Sequence, residues 1–302
     1  MEQQHRQRAT QSERKDHGEK VSEGAGKLYV VATPIGNLGD ISARALAVLA
    51  QADLVAAEDT RTTGHLLAHH GIAAKLLALH EHNEMQRAAD LVAQMRAGKT
   101  IALVSDAGTP GISDPGAQLV ARAQQAGIVV CPIPGANAAV AALSAAGLAA
   151  PHFLYYGFLP AKAAARRNAL AALRELPYPL VFYEAPHRVT ECVLDLAATL
   201  GGEREIVIAR ELTKLFEAIH RCPLDAADAW LAADANRQRG EFVLIVSGAQ
   251  PEKGLPAEAE RVLRLLLAQL PLAQSAALAA EITGARKNEL YERALALRDG
   301  YL

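Results

Sequence analysis

The stretch LVSDAGTPGISDPG, residues 103–116, places two aspartates among glycines and prolines directly after a short apolar segment. Glycine permits positive φ and close backbone approach, whereas proline removes an amide donor and stiffens the turn. Such a loop can present carbonyls and carboxylates to a ligand but is poorly suited to holding phosphate. The phosphate-loop pattern G-x-x-x-x-G-K-[ST] and the dinucleotide pattern G-x-G-x-x-G are both missing. The sequence therefore predicts a ligand other than ATP or NAD held in the usual way, or else a tight structural turn.

Clusters that combine carboxylates with basic side chains also follow other apolar segments. They are Glu58, Asp59 and Arg61; Glu184, His187 and Arg188; and Arg210, Glu211 and Lys214. A carboxylate in such a position can act as a general base or orient an acceptor, and an arginine can contact phosphate. The alternatives are a structural Asp59–Arg61 pair and an ordinary helix start, with Glu184 near the positive end of the helix dipole. These residues do not identify a base, and deprotonation by water alone stays open.

Several histidines raise the question of a metal site. His65 and His69 are spaced to share a helix face, and His80 and His82 follow soon after. A zinc site needs a further ligand at a characteristic spacing, which this sequence does not supply. We therefore predict no metal ion.

The segment KAAARRNALAALREL, residues 162–176, predicts a basic amphipathic helix. Its basic side chains are Lys162, Arg166, Arg167 and Arg174. Side chains of this kind can contact phosphates, which fix the register of a nucleic acid without reading its sequence. The alternative is a solvated helix face.

The composition limits the class of protein. The 302 residues are 51% apolar, which suffices for about two domains with substantial cores. The 31 basic and 33 acidic side chains nearly balance, so binding of nucleic acid would need a local patch. No apolar run is long enough to span a membrane. The three cysteines have no C-x-x-C spacing, which favours free thiols in a reducing cytoplasm.

Short apolar segments alternate with amphipathic ones through most of the chain, which predicts a parallel α/β architecture. Residues 27–134 form a first predicted α/β domain and residues 135–250 a second. The loop 103–116 then lies at the carboxyl end of a strand, where open α/β sheets bind ligands. Residues 251–302 predict a helical domain resembling helix-turn-helix, suited either to nucleic acid or to plain helical packing. Residues 1–26 are polar and predict a disordered tail.

Eight stretches in order over residues 27–302 resemble the bacterial ribosomal RNA small subunit methyltransferase I family. They are VVATPIGNLGDIS, AAEDTRTTGHLL, HEHNE, LVSDAGTPGISDPG, PIPGANAAVAALSAAGL, YYGFLP, VFYEAPHRV and ARELTKLFEAIHR. This family has the tetrapyrrole methylase fold of class III methyltransferases, which use S-adenosylmethionine (SAM). The resemblance implies two α/β domains with the SAM cleft between them and a small C-terminal helical domain.

The resemblance also implies roles for individual positions. The implied SAM-binding residues are Pro34, Ser105, Asp106, Ala107, Asn137, Ala138, Glu184, Leu212 and Phe242. The implied catalytic residues are Glu184, Arg188 and Asp59, and the implied RNA-binding residues are Arg61, Lys162, Arg166, Arg167 and Lys214. The tetrapyrrole branch of the fold usually has G-x-G-D and G-G-D forms in its first and fourth loops. This chain has TPIGN and SDAGTP there, which favours the RNA branch.

The function implied by the resemblance is SAM-dependent 2′-O-methylation of a cytidine in the decoding region of 16S ribosomal RNA. The implied partner is the small-subunit RNA, within the 30S subunit, and the implied enzyme is a cytoplasmic homodimer. One alternative is a class III methyltransferase that acts on a tetrapyrrole or another small molecule. The other is a non-catalytic ribosome-assembly protein that keeps a relic SAM cleft.

Overall fold

A computed structural model describes residues 26–148, 150–250 and 255–299 of the chain. Within these residues, two sheets with packed helices are followed by a helical segment. The predicted fold class, two α/β units and a C-terminal helical part, is confirmed. The predicted disordered tail lies outside the described residues, apart from Gly26. No described helix has the length and apolar character needed to cross a membrane.

The first sheet consists of parallel strands. In the described residues these are β1 (Lys27–Val31), β2 (Leu54–Ala57), β3 (Leu76–Ala78), β4 (Ile101–Val104) and β5 (Val129–Ile133). Their order in the sheet is β3-β2-β4-β1-β5. Every residue of β2 and β4 is buried, as expected of interior strands covered on both faces. Because the strands run in one direction, the loops that follow them meet along one edge of the sheet.

Helices cover both faces of this sheet. The helices are α1 (Ala43–Gln51), α2 (Thr60–His69), α3 (Glu84–Arg96) and α4 (Ala117–Gln125). Helices α3 and α4 pack on one face through residues such as Leu91 and Leu119. Helices α1 and α2 pack on the other face through Leu49 and Leu67. This layering buries the apolar stripe of each amphipathic helix.

The second sheet is mixed. Its described strands are β6 (Leu154–Phe158), β7 (Leu180–Glu184), β8 (Glu205–Arg210), β9 (Ala218–Pro223) and β10 (Phe242–Val246), in the order β6-β7-β10-β8-β9. Strands β6 and β7 are parallel, whereas the other pairs are antiparallel. Strand β9 is missing from the sequence-based prediction because its residues, AIHRCP, form neither a continuous apolar run nor an alternation of apolar and polar side chains.

Helices cover this sheet on both faces as well. Helix α5 (Ala138–Ala145) packs on the side towards the first sheet, where Ala139 and Ala142 contact residues of β7, β8 and β10. Small alanine side chains let the helix backbone approach the strands closely. The other helices of this unit are α6 (Ala163–Ala171), α7 (Val189–Leu200) and the short α8 (Ala227–Ala232). They share a separate apolar core with the opposite face of the sheet.

The C-terminal segment has its own apolar core. Its described helices are α9 (Ala257–Leu267), α10 (Leu272–Thr283) and α11 (Lys287–Asp299). Leu263, Ala276 and Leu290 are fully buried between them. Gly284 ends α10 with φ of 71°, a left-handed conformation that glycine adopts without steric cost. The turn between α10 and α11 therefore begins at this glycine.

A buried carboxylate holds the start of α4. Glu84 Oε1 accepts hydrogen bonds from the backbone N–H groups of Gly116 (3.0 Å), Gln118 (2.9 Å) and Leu119 (3.0 Å). These amides have no partner within their own helix, and the helix dipole favours a negative charge at this end. Glu84 belongs to the HEHNE stretch of the sequence, so that motif fixes the far end of the loop 103–116.

We expect Glu84→Ala to destabilise the fold by roughly 1–3 kcal/mol, because buried amide donors would lose their acceptor. Thermal unfolding measures the loss, and hydrogen exchange at residues 116–119 should become faster. Glu81→Ala is the matched control, since Glu81 is exposed on the same stretch. Equal unfolding temperatures for the two variants would contradict a structural role for Glu84.

Candidate active site

A cavity of about 340 Å³ lies between the two sheets. On one side its walls are the loops after β1 and β4 and the start of α5. On the other side they are the ends of β7 and β8 and the start of β10. Much of the lining consists of small or apolar residues, among them Ile35, Ala107, Gly108, Ala138, Ala209, Leu212 and Phe242. A concave, largely apolar space with a few polar groups is typical of a small-molecule site.

The residues predicted to bind the cofactor are divided between this cavity and a neighbouring one. The first cavity is lined by Ala107, Asn137, Ala138, Glu184, Leu212 and Phe242. A second cavity of about 380 Å³ is lined by Pro34, Ser105 and Asp106 together with residues of α2. Ile35 and Ala107 line both cavities and therefore form the wall between them. The loops after β1 and β4 line both cavities. The order of these residues in the sequence therefore could not show which cavity each of them lines.

Backbone pairing fixes this wall. Thr33 N–H donates to Gly108 O (2.8 Å), and Gly108 N–H donates back to Thr33 O (3.1 Å). Gly108 has φ of 85°, and a Cβ atom at this position would lie 3.5 Å from Ile35 Cγ2. A residue other than glycine would be strained in this conformation. The glycine of the loop 103–116 thus lets the loops after β1 and β4 pair directly.

Two tyrosine hydroxyls of the second sheet lie near the cavity, one bonded to the loop after β4 and the other to the start of α5. The hydroxyls of Ser113 and Tyr155 share a hydrogen bond of 2.5 Å, and Ala139 N–H donates to Tyr183 Oη (3.1 Å). The rings of Tyr155 and Tyr183 pack edge to face at 5.1 Å. Burial raises the pKa of both tyrosines, so both hydroxyls keep their protons at neutral pH. Ser113 has φ of 65°, an uncommon conformation for a residue other than glycine.

Carboxylates from the ends of β2 and β4 gather beside the cavities. Asp106 N–H donates to Glu58 Oε2 (3.3 Å), and Asp59 N–H donates to Asp106 Oδ1 (3.0 Å). Burial, together with the negative charges of Glu58 and Asp106, raises the pKa of Asp114 to about 6, and the nearby Ser105 hydroxyl partly opposes this rise. Burial also raises the pKa of Glu58. Sequence reasoning missed Asp114, although it is the second aspartate of the loop 103–116.

Asp59 forms the structural pair that the sequence left open. Its carboxylate accepts from Arg61 N–H (2.8 Å) at the start of α2 and pairs with the Arg61 guanidinium at 2.5 Å. The hydrogen bonds from Arg61 lower the pKa of Asp59 to about 2. A carboxylate that holds its proton so weakly is a poor general base. The prediction of a catalytic Asp59 is therefore disfavoured by its surroundings, and Arg61 has a carboxylate partner already.

Glu184 and Arg188 face the interior of the second unit. Glu184 Oε1 accepts from Ala185 N–H (2.8 Å) and lies 3.2 Å from Arg188 Nε. Arg188 donates through a terminal nitrogen to Leu159 O (2.6 Å). The Glu184 side chain is 0% exposed although its residue lines the cavity wall. Arg188 is therefore engaged with Glu184 and the backbone, and the catalytic roles of both residues stay predictions.

Lys214 is engaged with carboxylates at the cavity rim. Its Nζ lies 2.8 Å from Glu211 Oε1 and 2.8 Å from Glu241 Oε2, which joins the loop after β8 to the strand β10. Glu211 and Thr213 adopt positive φ values of 51° and 66° in the same loop. Lys214 therefore already has two acidic partners, and its contact with RNA stays a prediction.

The four histidines considered as metal ligands do not come together in one site. The rings of His80 and His82 contact each other at 6.1 Å, and His69 instead contacts His70 at 4.8 Å. Among the described residues, no group of three or more histidine, cysteine or acidic side chains is arranged to hold a metal ion.

Comparison with known proteins places the whole architecture in a family. Residues 27–228 match the tetrapyrrole (corrin/porphyrin) methylases, and residues 253–298 match the RsmI C-terminal HTH domain. The ribosomal RNA small subunit methyltransferase I of Pseudomonas aeruginosa is 56% identical over 274 residues, 90% of this chain and 97% of that protein. Its namesake in Escherichia coli O157:H7 is 56% identical over 271 residues, 89% of this chain and 95% of that protein. The chain belongs to the ribosomal RNA small subunit methyltransferase I family.

Solved structures share the fold of this methyltransferase family member at low sequence identity. The methyltransferase CobJ has a TM-score of 0.56 at 20% identity, over 74% of this chain and 95% of that one. A uroporphyrin-III C-methyltransferase from Thermus thermophilus, complexed with S-adenyl homocysteine, has a TM-score of 0.51 at 18% identity, over 74% of this chain and 97% of that one. These structures share the fold, whereas the family models and the relatives of 56% identity confirm the resemblance stated from the sequence motifs.

One arginine predicted to contact RNA is buried in this family member. Arg166 is 1% exposed, and its Nε donates to Asp195 Oδ2 (2.6 Å) on α7. Arg167 also bonds Asp195 (3.1 Å), but its side chain is 53% exposed. The prediction for Arg166 is wrong because its guanidinium faces inward and joins α6 to α7. Lys162 and Arg167 remain on the exposed side of this segment.

Substitution of the two neighbouring arginines should separate these roles. We expect Arg166→Ala to lower the free energy of unfolding by about 3–5 kcal/mol, because it leaves the carboxylate of Asp195 buried beside fewer partners. Arg167→Ala should cost less than about 1 kcal/mol, as is usual for exposed ion pairs. Thermal unfolding of both variants provides the measurement. Losses of the same size would show that Arg166 does not lock α6 to α7.

Proposed function

We propose that the chain transfers the methyl group of SAM to the ribose 2′-hydroxyl of a cytidine in the decoding region of small-subunit ribosomal RNA. The observation that carries this proposal is the cavity between the sheets, in a chain that matches named small-subunit RNA methyltransferases at 56% identity over about nine tenths of its length. The 2′-hydroxyl and the cytidine are what the sequence resemblance implies.

The lining of the first cavity fits SAM. Ala107, Ala138 and Ala209 have small side chains and leave room for a flat ring against apolar walls. Glu241 supplies an acidic group at the lining, which suits a ligand with a sulfonium and an ammonium charge. Bound SAM supplies an electrophilic methyl group. The protein's task is then to align an acceptor with it, because alignment alone lowers much of the barrier.

The second cavity suits the acceptor. It shares Ile35 and Ala107 with the first cavity, so a group bound there lies next to the donor space. Asp106 is exposed in this cavity and can accept a hydrogen bond from a sugar hydroxyl. The SAM-binding role proposed for Pro34, Ser105 and Asp106 thus becomes a role beside the acceptor.

Contacts to the rest of the RNA come from exposed basic side chains and the C-terminal helices. Lys162 and Arg167 are exposed at the start of α6 and within it, where they can reach phosphates. The match of residues 253–298 to an HTH domain supports a second contact to the RNA. The assembled 30S subunit is the proposed substrate, in the cytoplasm, and the proposed active form is a homodimer.

Filling the first cavity should abolish cofactor binding. We expect Ala138→Phe to weaken binding of S-adenosylhomocysteine at least about tenfold, because the larger ring occupies the space of the ligand. Val140→Phe is the matched control, since Val140 is 58% exposed on the same helix and does not line the cavity. Calorimetric titration gives both affinities. Equal affinities for the two variants would remove α5 from the cofactor site.

The function is tested with purified protein, methyl-labelled SAM and small subunits from cells that lack this gene. Nuclease and alkali digestion of the RNA should place the label on one alkali-resistant cytidine linkage. Label on a base would overturn the 2′-O assignment. Absence of label from RNA, with SAM bound, would instead favour a small-molecule acceptor or a relic cofactor site.

A further inference from the structure

Asp114 lies where the two cavities meet. Asp114 lines the first cavity, and Ser105, whose hydroxyl lies close enough to lower the pKa of Asp114, lines the second. A group at this boundary can touch an acceptor atom that approaches the donor from the second cavity. The position is well fixed, because Ser113 bonds Tyr155 on one side and Gly116 bonds Glu84 on the other.

The other carboxylates near the donor space already have cationic partners. Glu184 pairs with Arg188 at 3.2 Å, and Glu241 pairs with Lys214 at 2.8 Å. Within residues 26–148, 150–250 and 255–299, no ion pair involves Asp114. An ion-paired carboxylate is a weak proton acceptor, because the adjacent cation stabilises its charged form. Asp114 is therefore the lining carboxylate best able to take up a proton.

The groups around Asp114 keep its proton affinity high. Glu58 at the end of β2 and Asp106 at the end of β4 face it with negative charge. Tyr155 of β6 and Tyr183 of β7 lie on the opposite side, and both have raised pKa values. The carboxylates act on Asp114 as like charges, and the neutral tyrosines do not oppose them. With a pKa of about 6, Asp114 is mostly ionised at neutral pH yet still holds a transferred proton usefully.

We propose that Asp114 accepts the proton of the attacking hydroxyl. This inference rests on the proposed function, since it requires a hydroxyl acceptor. The hydroxyl oxygen forms a bond to the methyl carbon of SAM, and the carbon–sulfur bond breaks with its electron pair left on sulfur. The proton passes to a carboxylate oxygen of Asp114 and then to water. The products are the methyl ether, S-adenosylhomocysteine and a proton.

Single-turnover methylation of 30S subunits against pH tests this role in the full-length protein. For the unaltered chain, the rate should rise with pH through about 6 and then level off, since ionised Asp114 is the active form. Asp114→Asn should lower the rate by about 10²–10⁴-fold and abolish this rise. Its affinity for S-adenosylhomocysteine should stay within about threefold, because the substitution preserves shape. Carbon-13 NMR of labelled aspartate gives the titration of Asp114 directly, without turnover.

Glu58→Gln is the informative second variant. It removes a negative charge that raises the pKa of Asp114, so both the rate profile and the NMR titration should move to lower pH. A rate profile that stays unmoved while the NMR titration shifts would assign the profile to another group and overturn the proposal. A near-normal rate in Asp114→Asn, or loss of cofactor binding in that variant, would also overturn the proposal. If the unaltered chain labels no RNA hydroxyl, the proposed function fails instead. The NMR titration of Asp114 does not depend on that result, because it is measured without turnover.

Discussion

The buried carboxylate of Glu84 anchors the part of the molecule on which the site depends. One oxygen binds the backbone amides of Gly116, Gln118 and Leu119, so the charge of a side chain from α3 compensates the unpaired amides at the start of α4. The near end of the same loop is fixed by the Thr33–Gly108 pairing. Held at both ends, a segment rich in glycine and proline becomes a rigid wall of two cavities.

This rigid wall explains how the chain brings together negative charges that form no ion pairs within the described residues. Glu58, Asp106 and Asp114 come from the ends of neighbouring strands, and their mutual repulsion opposes folding. Backbone amides offset part of that cost, because Glu58 accepts from Asp106 N–H and Asp106 accepts from Asp59 N–H. The resulting negative potential suits a cationic methyl donor. In contrast, the basic residues of this region are used in structural pairs, as Arg61, Lys214 and Arg188 show.

The sequence predicted the fold and the identity of the loops, but not the direction of individual side chains. Alternation of apolar and amphipathic segments identified the first sheet, since β2 and β4 are continuous apolar runs. The sequence did not predict strand β9, because this edge strand has no continuous apolar run. Arg166 looked like a surface cation, since its partner Asp195 lies 29 positions away and composition does not reveal contacts of that range. Asp114 was overlooked because its altered pKa arises from burial and from charges on other strands, which appear only in three dimensions.

The left-handed backbone conformation of Ser113 affects which substitutions this protein can accept. A left-handed φ of 65° at a serine costs free energy that glycine would not, so Ser113→Gly would be favoured in any selection for thermal stability alone. The same replacement would delete the hydroxyl that joins the loop to Tyr155 across the cavity. Stability and the alignment of the two halves therefore make opposite demands on one residue. The protein is expected to retain this local cost as a trade-off between robustness and rate.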